Sequence, residues 1–233
     1  MCAPVNLFGC GKNQLKISIM KDVFFYPWVG SCYNSGINGK KIMIMGHVHV
    51  CGGCNECGVI KDKDEECSSL TIKAVRNYFR WRETGEVPSP GYEGWLKTYF
   101  NFAKAFFGFE PNLKQEKCEL WDKVLFYNYV QTAVSEWYQK PYSVDYKKSQ
   151  VPFMEVINEY EPDIIIVWGS EAFNRTPDGG KYGEPITFEN IQAIRYIYSL
   201  NSGKQCSMIK IHHPSMYFSS SNWHEVIKSI IEE

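Results

Sequence analysis

The stretch KIMIMGHVHVCGGCNECG, residues 41–58, brings three kinds of signal together. An apolar run ends at Gly46, two histidines follow at His47 and His49, and three cysteines follow at C-x2-C-x2-C spacing. A continuous apolar run of this length is typical of a strand buried on both faces of a parallel sheet. We therefore expect a buried strand that delivers polar side chains to its carboxyl end.

Three further apolar runs resemble the first, and stretches with helical periodicity separate them. This alternation predicts an α/β fold with three layers, α/β/α, around a central four-stranded parallel sheet. The predicted strands are residues 41–45, 124–127, 164–167 and 207–211, and the predicted helices are residues 68–81, 94–108, 150–160 and 188–200, with a last helix beginning near Asn222.

The composition indicates one folded domain over residues 1–233. The chain is 44% hydrophobic with a formal net charge of −1, which excludes a strongly basic protein that coats nucleic acid. Residues 1–40 are expected to form an N-terminal extension, and residues 51–67 a cysteine-rich loop. No apolar run approaches the roughly 20 residues of a membrane helix, and no signal-peptide pattern occurs. We expect a soluble, cytoplasmic monomer that does not contact membranes.

Polar residues follow each predicted strand. In open α/β sheets, ligands bind outside the carboxyl ends of the strands, so these residues are candidates for one site. Four of the five histidines of the chain belong to this set. Its members are Gly46, His47 and His49 after the first run, Asn128 in the second, Gly169 and Ser170 after the third, and His212, His213 and Ser215 after the fourth.

This arrangement resembles the uracil-DNA glycosylase superfamily over roughly residues 41–233. The matching features are the strand that ends at Gly46, the stretch VLFYN that ends at Asn128, the stretch IIIVWGS that ends at Ser170, and the stretch HPSMYFSSSNWH that begins at His213. The resemblance implies hydrolysis of the N-glycosidic bond of a uracil or another damaged base that is flipped out of DNA.

The resemblance also implies roles for single residues. Asn128 would read the edge of the base through its amide, and His213 would stabilise the negative charge of the departing base. Ser215 would hold a flanking phosphate, and Tyr217 would be the wedge that enters the DNA. Gly46, His49 and Ser170 would line the substrate pocket.

The first motif departs from the family pattern because it has no carboxylate that positions water. Val48 stands at that place, so His47 or His49 is the candidate general base. A carboxylate from elsewhere, such as Asp22 or Glu56, is an alternative. Without a water activator, the same pocket would make a non-catalytic module that binds nucleic acid or nucleotides. A metal-dependent hydrolase that uses His47, His49 and His213 is a third interpretation.

Four cysteines have spacing suited to one metal ion. Thiolates of Cys51, Cys54, Cys57 and Cys67 in a glycine-rich loop can surround a tetrahedral zinc ion. An iron–sulfur cluster is the alternative, since C-x2-C-x2-C also opens ferredoxin-type motifs. Four reduced thiols without a metal remain a further alternative.

Overall fold

The computed structural model describes residues 20–51, 65–88, 93–215 and 217–233, and these form a mixed α/β structure. The strands are β1 (Trp28–Val29), β2 (Ile42–Gly46), β3 (Val124–Asn128), β4 (Ile164–Trp168), β5 (Lys181–Tyr182), β6 (Ile186–Phe188), β7 (Ile191–Ser199) and β8 (Gln205–Ile211). The helices are α1 (Glu65–Ser68), α2 (Leu70–Thr84), α3 (Glu93–Phe107), α4 (Leu113–Gln115) continuing into a π-helical segment (Glu116–Trp121), α5 (Ser143–Tyr160), α6 (Ser170–Phe173) and α7 (Ser220–Glu232).

Within the described residues the sheet has eight strands and is mixed. Its order is β1-β3-β2-β4-β8-β7-β5, and β6 pairs with β7. The segments predicted as strands are β3, β2, β4 and β8, and these neighbours pair in parallel. Antiparallel strands extend both sides, since β1 pairs with β3 and β7 pairs with β8. The sheet is therefore larger and less uniform than the four parallel strands expected.

The continuous apolar runs are explained by burial on both faces of the sheet. Ile42 and Ile44 pack into a core with side chains from α2, α3 and α7. Met43 and Met45 point the other way and pack with side chains from α5. Because successive side chains of a strand alternate between faces, a strand covered on both sides must be apolar throughout.

One predicted helix is wrong. Residues 188–200 contain strand β7, which pairs antiparallel with β8 from Ile194↔Lys210 to Ser199↔Gln205. Isoleucine and tyrosine dominate this stretch, and both favour strands. Their spacing also fits a helix, so the periodicity was ambiguous, and pairing with β8 decides the outcome.

The other helices form near their predicted places with different ends. Helix α5 begins at Ser143, before the predicted residue 150, and contains Pro152. Helix α7 begins at Ser220, where the hydroxyl of Ser219 accepts from the backbone N–H of Asn222 and caps the helix. Across the part of the chain that is described, no helix is long and apolar enough to cross a membrane.

The connections that follow β2 and β3 pack on opposite faces of the sheet. The connection from β2 to β3 contains α2 and α3, which pack on one face of the sheet. The connection from β3 to β4 contains α5, which packs on the opposite face. In open α/β sheets, ligands bind outside the carboxyl ends of strands whose connections diverge in this way, so this edge is the candidate site.

Candidate functional site at the carboxyl edge of the sheet

Gly46 and Asn128 face each other at the ends of neighbouring strands. They are the last partners in the parallel register of β2 and β3. The amide of Asn128 lies against the bare backbone of Gly46, since a Cβ added at Gly46 would stand 2.1 Å from Oδ1 of Asn128. Residue 46 must therefore lack a side chain if the Asn128 amide is to keep this position.

His49 holds the Asn128 amide from the other side. Nδ2 of Asn128 lies 3.2 Å from both Nδ1 and Nε2 of His49, and Nε2 of His49 lies 2.9 Å from the hydroxyl of Thr71. Both ring nitrogens of His49 form a hydrogen bond if Nε2–H donates to the Thr71 hydroxyl and Nδ1 accepts from Nδ2–H of Asn128. The ring of His49 also packs edge-on against Phe25, with ring centroids 4.8 Å apart.

Burial keeps His49 neutral. The side chain is only 7% exposed, and desolvation lowers its pKa to about 3. A neutral imidazole has one donor and one acceptor nitrogen, as the contacts with Thr71 and Asn128 require. His49 was predicted to line the substrate pocket. His49 and Asn128 are both buried, each 7% exposed, and His49 lies against the Asn128 amide.

His47 begins a chain of hydrogen bonds on the opposite face of the same loop. Its Nε2 lies 2.8 Å from the hydroxyl of Tyr146, which donates to the Glu171 carboxylate at 3.2 Å. Because the tyrosine proton goes to Glu171, the tyrosine oxygen accepts from Nε2–H of His47. Nδ1 of His47 therefore carries the free lone pair. His47 and His49 therefore point to opposite faces, toward α5 and α2 respectively.

The protonation states of this chain follow from burial and charge. The pKa of His47 is lowered to about 4, mainly by burial; the Glu171 carboxylate opposes this shift, and His213 and Lys140 add to it. Burial, reinforced by Glu171, raises the pKa of Tyr146 to about 12. At neutral pH, His47 is therefore an uncharged base and Tyr146 a protonated donor.

His213 follows β8 and lies beside the end of β4. A Cβ added at Gly169 would stand 3.3 Å from Cβ of His213, and the ring of Trp168 lies edge-on to the imidazole at 6.4 Å. Gly169 has a φ of +90°, so this close turn suits glycine alone. Burial lowers the pKa of His213, although the residue as a whole is exposed to solvent.

The remaining predicted substrate contacts lie on the two loops around His213. Ser170 is exposed and begins α6, and Ser215 is exposed, with its backbone N–H donating to the carbonyl of His213 at 2.7 Å. Tyr217 is 98% exposed and has a φ of +64°. A bulky residue held in this conformation with no contact to the core is unusual for a purely structural position.

Several residues of the site were missed from the sequence. Tyr146 and Thr71 bind His47 and His49, and Glu171 accepts from Tyr146. Gln131 donates to the Asn128 carbonyl while accepting from the backbone N–H of Phe25. Only Glu171 had an available signal, because it directly follows the polar residues after β4. Asp22 was considered as a source of the missing carboxylate, and its backbone N–H donates to the Glu155 carboxylate. Glu56, the other candidate, lies outside the described residues.

The described residues leave the cysteine prediction open. Cys51 and Cys67 are half-buried and pack against the same pair, Phe24 and Phe25. Cys54 and Cys57 lie outside the described residues. In the described part, no group of three or more metal-ligating side chains occurs, which argues against a metal centre formed by His47, His49 and His213.

Comparisons with known proteins do not assign the chain to a family. No protein-family model matches the sequence, and no curated protein is significantly similar to it. The function is therefore inferred from the geometry of the site.

Proposed function

We propose that this protein is a DNA glycosylase that hydrolyses the N-glycosidic bond of a flipped uracil or other damaged base. The proposal is supported by the position of Asn128, His47 and His213 at the carboxyl ends of β3, β2 and β8 in one run of parallel strands, and by the electrostatic effect of His213 on His47. An amide, a neutral imidazole base and a second imidazole donor are the groups this reaction needs.

Asn128 recognises the base. Its Oδ1 can accept from a ring N–H, and the second hydrogen of Nδ2 can donate to a ring carbonyl, because His49 uses only the first hydrogen. His49 and Gly46 prevent the amide from turning, so the base edge meets a preorganised donor and acceptor.

His213 stabilises the leaving base. As the bond between C1′ and the base nitrogen breaks, negative charge develops on the base carbonyl. A neutral imidazole N–H can donate to that oxygen without surrendering its proton, and the lowered pKa of His213 favours this form.

His47 activates the water that attacks C1′. Nδ1 accepts the proton of the water, while Nε2–H stays bonded to Tyr146 and Glu171. The positive charge that forms on the imidazole is then stabilised through the tyrosine by the Glu171 carboxylate. Here Tyr146 and Glu171 are positioning residues, in the way a third group orients a general base.

A second candidate is a non-catalytic module that binds a flipped base. Val48 packs into the core beside α5, so the place where a carboxylate is expected is apolar. A histidine with a pKa near 4 is also a weak base at neutral pH. In this alternative, Asn128 and His213 bind the base and no bond is broken.

Excision assays distinguish the two candidates. Oligonucleotides that contain uracil, hypoxanthine or an alkylated base, single- and double-stranded, are incubated with the protein and cleaved with alkali at abasic sites. We expect cleavage of at least one substrate. If all remain intact while the protein still binds them, the binding module replaces the glycosylase.

Variants assign the roles if excision occurs. His213→Ala should lower kcat by about 10²–10³-fold, as removal of an oxyanion donor does. His47→Ala should lower kcat by about 10²–10⁴-fold with substrate affinity retained. Asn128→Asp should change the preferred base, and His212→Ala is the matched control. If His47→Ala turns over substrate as fast as the wild type, His47 is not the base that activates water.

A further inference from the structure

The connection from β3 to α5 exposes three large aromatic side chains. Trp137 is 82% exposed, Tyr138 is 67% exposed and Tyr142 is 75% exposed. Residues 135–142 are named the aromatic loop. A single exposed aromatic residue is ordinary, but three within eight residues make an apolar patch of the kind that marks a binding surface.

Hydrogen bonds hold the aromatic loop in a defined turn. The Gln139 side-chain carbonyl accepts from the backbone N–H of Ser135 at 3.0 Å, from its hydroxyl at 2.7 Å, and from the N–H of Glu136 at 3.3 Å. The rings of Trp137 and Tyr138 stand edge-on with centroids 5.6 Å apart. These bonds present the two rings to solvent in a defined arrangement, which lowers the entropic cost of binding.

The aromatic loop is continuous with the candidate site. Just before it, the N–H of Val134 donates to the carbonyl of His49, and the N–H of Cys51 donates to the carbonyl of Val134, both at 2.9 Å. Just after it, Tyr142 lies one helical turn before Tyr146, the partner of His47. The charge of Lys140 also acts on His47. Trp137 and Tyr138 therefore lie in a segment that is tied directly to the candidate site at the carboxyl edge of the sheet.

Another exposed aromatic residue, Tyr217, lies on the far side of the candidate site. The aromatic loop follows β3, and Tyr217 follows β8, which is three strands away in the order β3-β2-β4-β8. Neighbouring strands lie about 4.8 Å apart, so the ends of β3 and β8 are separated by roughly 14 Å at the sheet. This span accommodates a nucleotide at the candidate site, with its neighbours extending over both sides.

Cations accompany the aromatic rings. Lys140, Lys147 and Arg175 are exposed on this side, and the Arg175 guanidinium stacks 5.0 Å from the Tyr146 ring centroid. Lys147 and Arg175 also line a cavity of ≈ 340 Å³ beside the first turn of α5. Of the nearby acids, Asp145 accepts from the backbone N–H of Tyr142 and Glu171 accepts from Tyr146, while Asp178 lines the same cavity. Aromatic faces combined with cations are the features that bind single-stranded nucleic acid.

We propose that the aromatic loop is a stacking platform for unpaired bases, so that the protein prefers single-stranded over duplex nucleic acid. This inference rests on the proposed function for the identity of the ligand class, and it adds the strandedness. Paired bases inside a duplex hide their faces from Trp137 and Tyr138, whereas unpaired bases offer them.

Tryptophan fluorescence tests the platform directly. The chain has seven tryptophans, and Trp137 is the exposed one, since the other six are buried or half-buried. An undamaged oligothymidylate should quench Trp137 and protect it from acrylamide, whereas its duplex with oligoadenylate should not. Trp137→Phe should abolish the signal. Trp137→Ala should weaken single-strand binding about 5- to 150-fold, as loss of one base-stacking ring does.

Tyr182→Ala is the matched control, because Tyr182 is 73% exposed on β5, outside the candidate site. Its single-strand affinity should equal that of the wild type. The platform is refuted if Trp137→Ala binds the single strand like the wild type, or if the duplex binds as tightly as the single strand. Excision without any Trp137 response would refute the platform and leave the glycosylase standing. A Trp137 response without excision of any base would refute the glycosylase and leave the stacking platform standing.

Discussion

Replacing His49 by glutamine should remove a defined part of the acid sensitivity of the fold. The native pKa of His49 is about 3, against 6.5 for an exposed histidine, and burial is the cause. Because the native pKa is lowered, the unfolded chain takes up a proton first as the pH falls. The stability that depends on a neutral His49 is therefore present above pH 6.5 and is lost progressively below it.

The size of the effect follows from the two pKa values. Between pH 7 and pH 5, protonation of His49 in the unfolded chain should lower the free energy of unfolding by about 2 kcal/mol. A native pKa of 4 in place of 3 changes this figure by less than about 0.1 kcal/mol, since both values lie well below pH 5. His47 adds a separate loss that persists in the variant.

The assay is urea unfolding followed by circular dichroism at pH 7 and pH 5. His49→Gln should lose about 2 kcal/mol less than the wild type between these two pH values. Thr71→Val is the control, because it removes the hydrogen bond to Nε2 but leaves the buried imidazole, and its pH dependence should resemble that of the wild type. Equal pH dependence in His49→Gln and the wild type would show that burial does not keep this imidazole neutral.

Two further predictions concern Gly46 and the cysteines. Gly46→Ala should displace the Asn128 amide, abolish base binding and lower the free energy of unfolding by about 1–3 kcal/mol in a urea titration. Gly94→Ala is the control: its Cβ would meet nothing within 4 Å, so this variant should be neutral or stabilising in the same titration. Anaerobically purified protein should contain about one zinc ion per chain by elemental analysis, and Cys51→Ser should release it while Cys118→Ser should not; absence of both zinc and iron would contradict the metal site.

The parallel strands could be predicted because their burial leaves a direct mark on the sequence. Each is covered by helices on both faces, so no polar residue interrupts Ile42–Met45 or Ile164–Val167. The polar residues that end these runs are equally visible, and the common direction of the strands brings Gly46 and Asn128 to one edge. No such constraint acts on β7, which is only half-buried, and its helical spacing was misleading.

The sequence by itself determined which residues stand at the carboxyl ends of the strands, because a strand buried on both faces must be apolar until it leaves the sheet. Only the tertiary structure decided what those residues do. Tyr146 meets His47 across 99 positions of the chain, and Thr71 meets His49 across 22, so no local spacing reveals either contact. Long-range packing thus directs two histidines that are two residues apart to different partners, His47 to Tyr146 of α5 and His49 to Thr71 of α2 and the Asn128 amide.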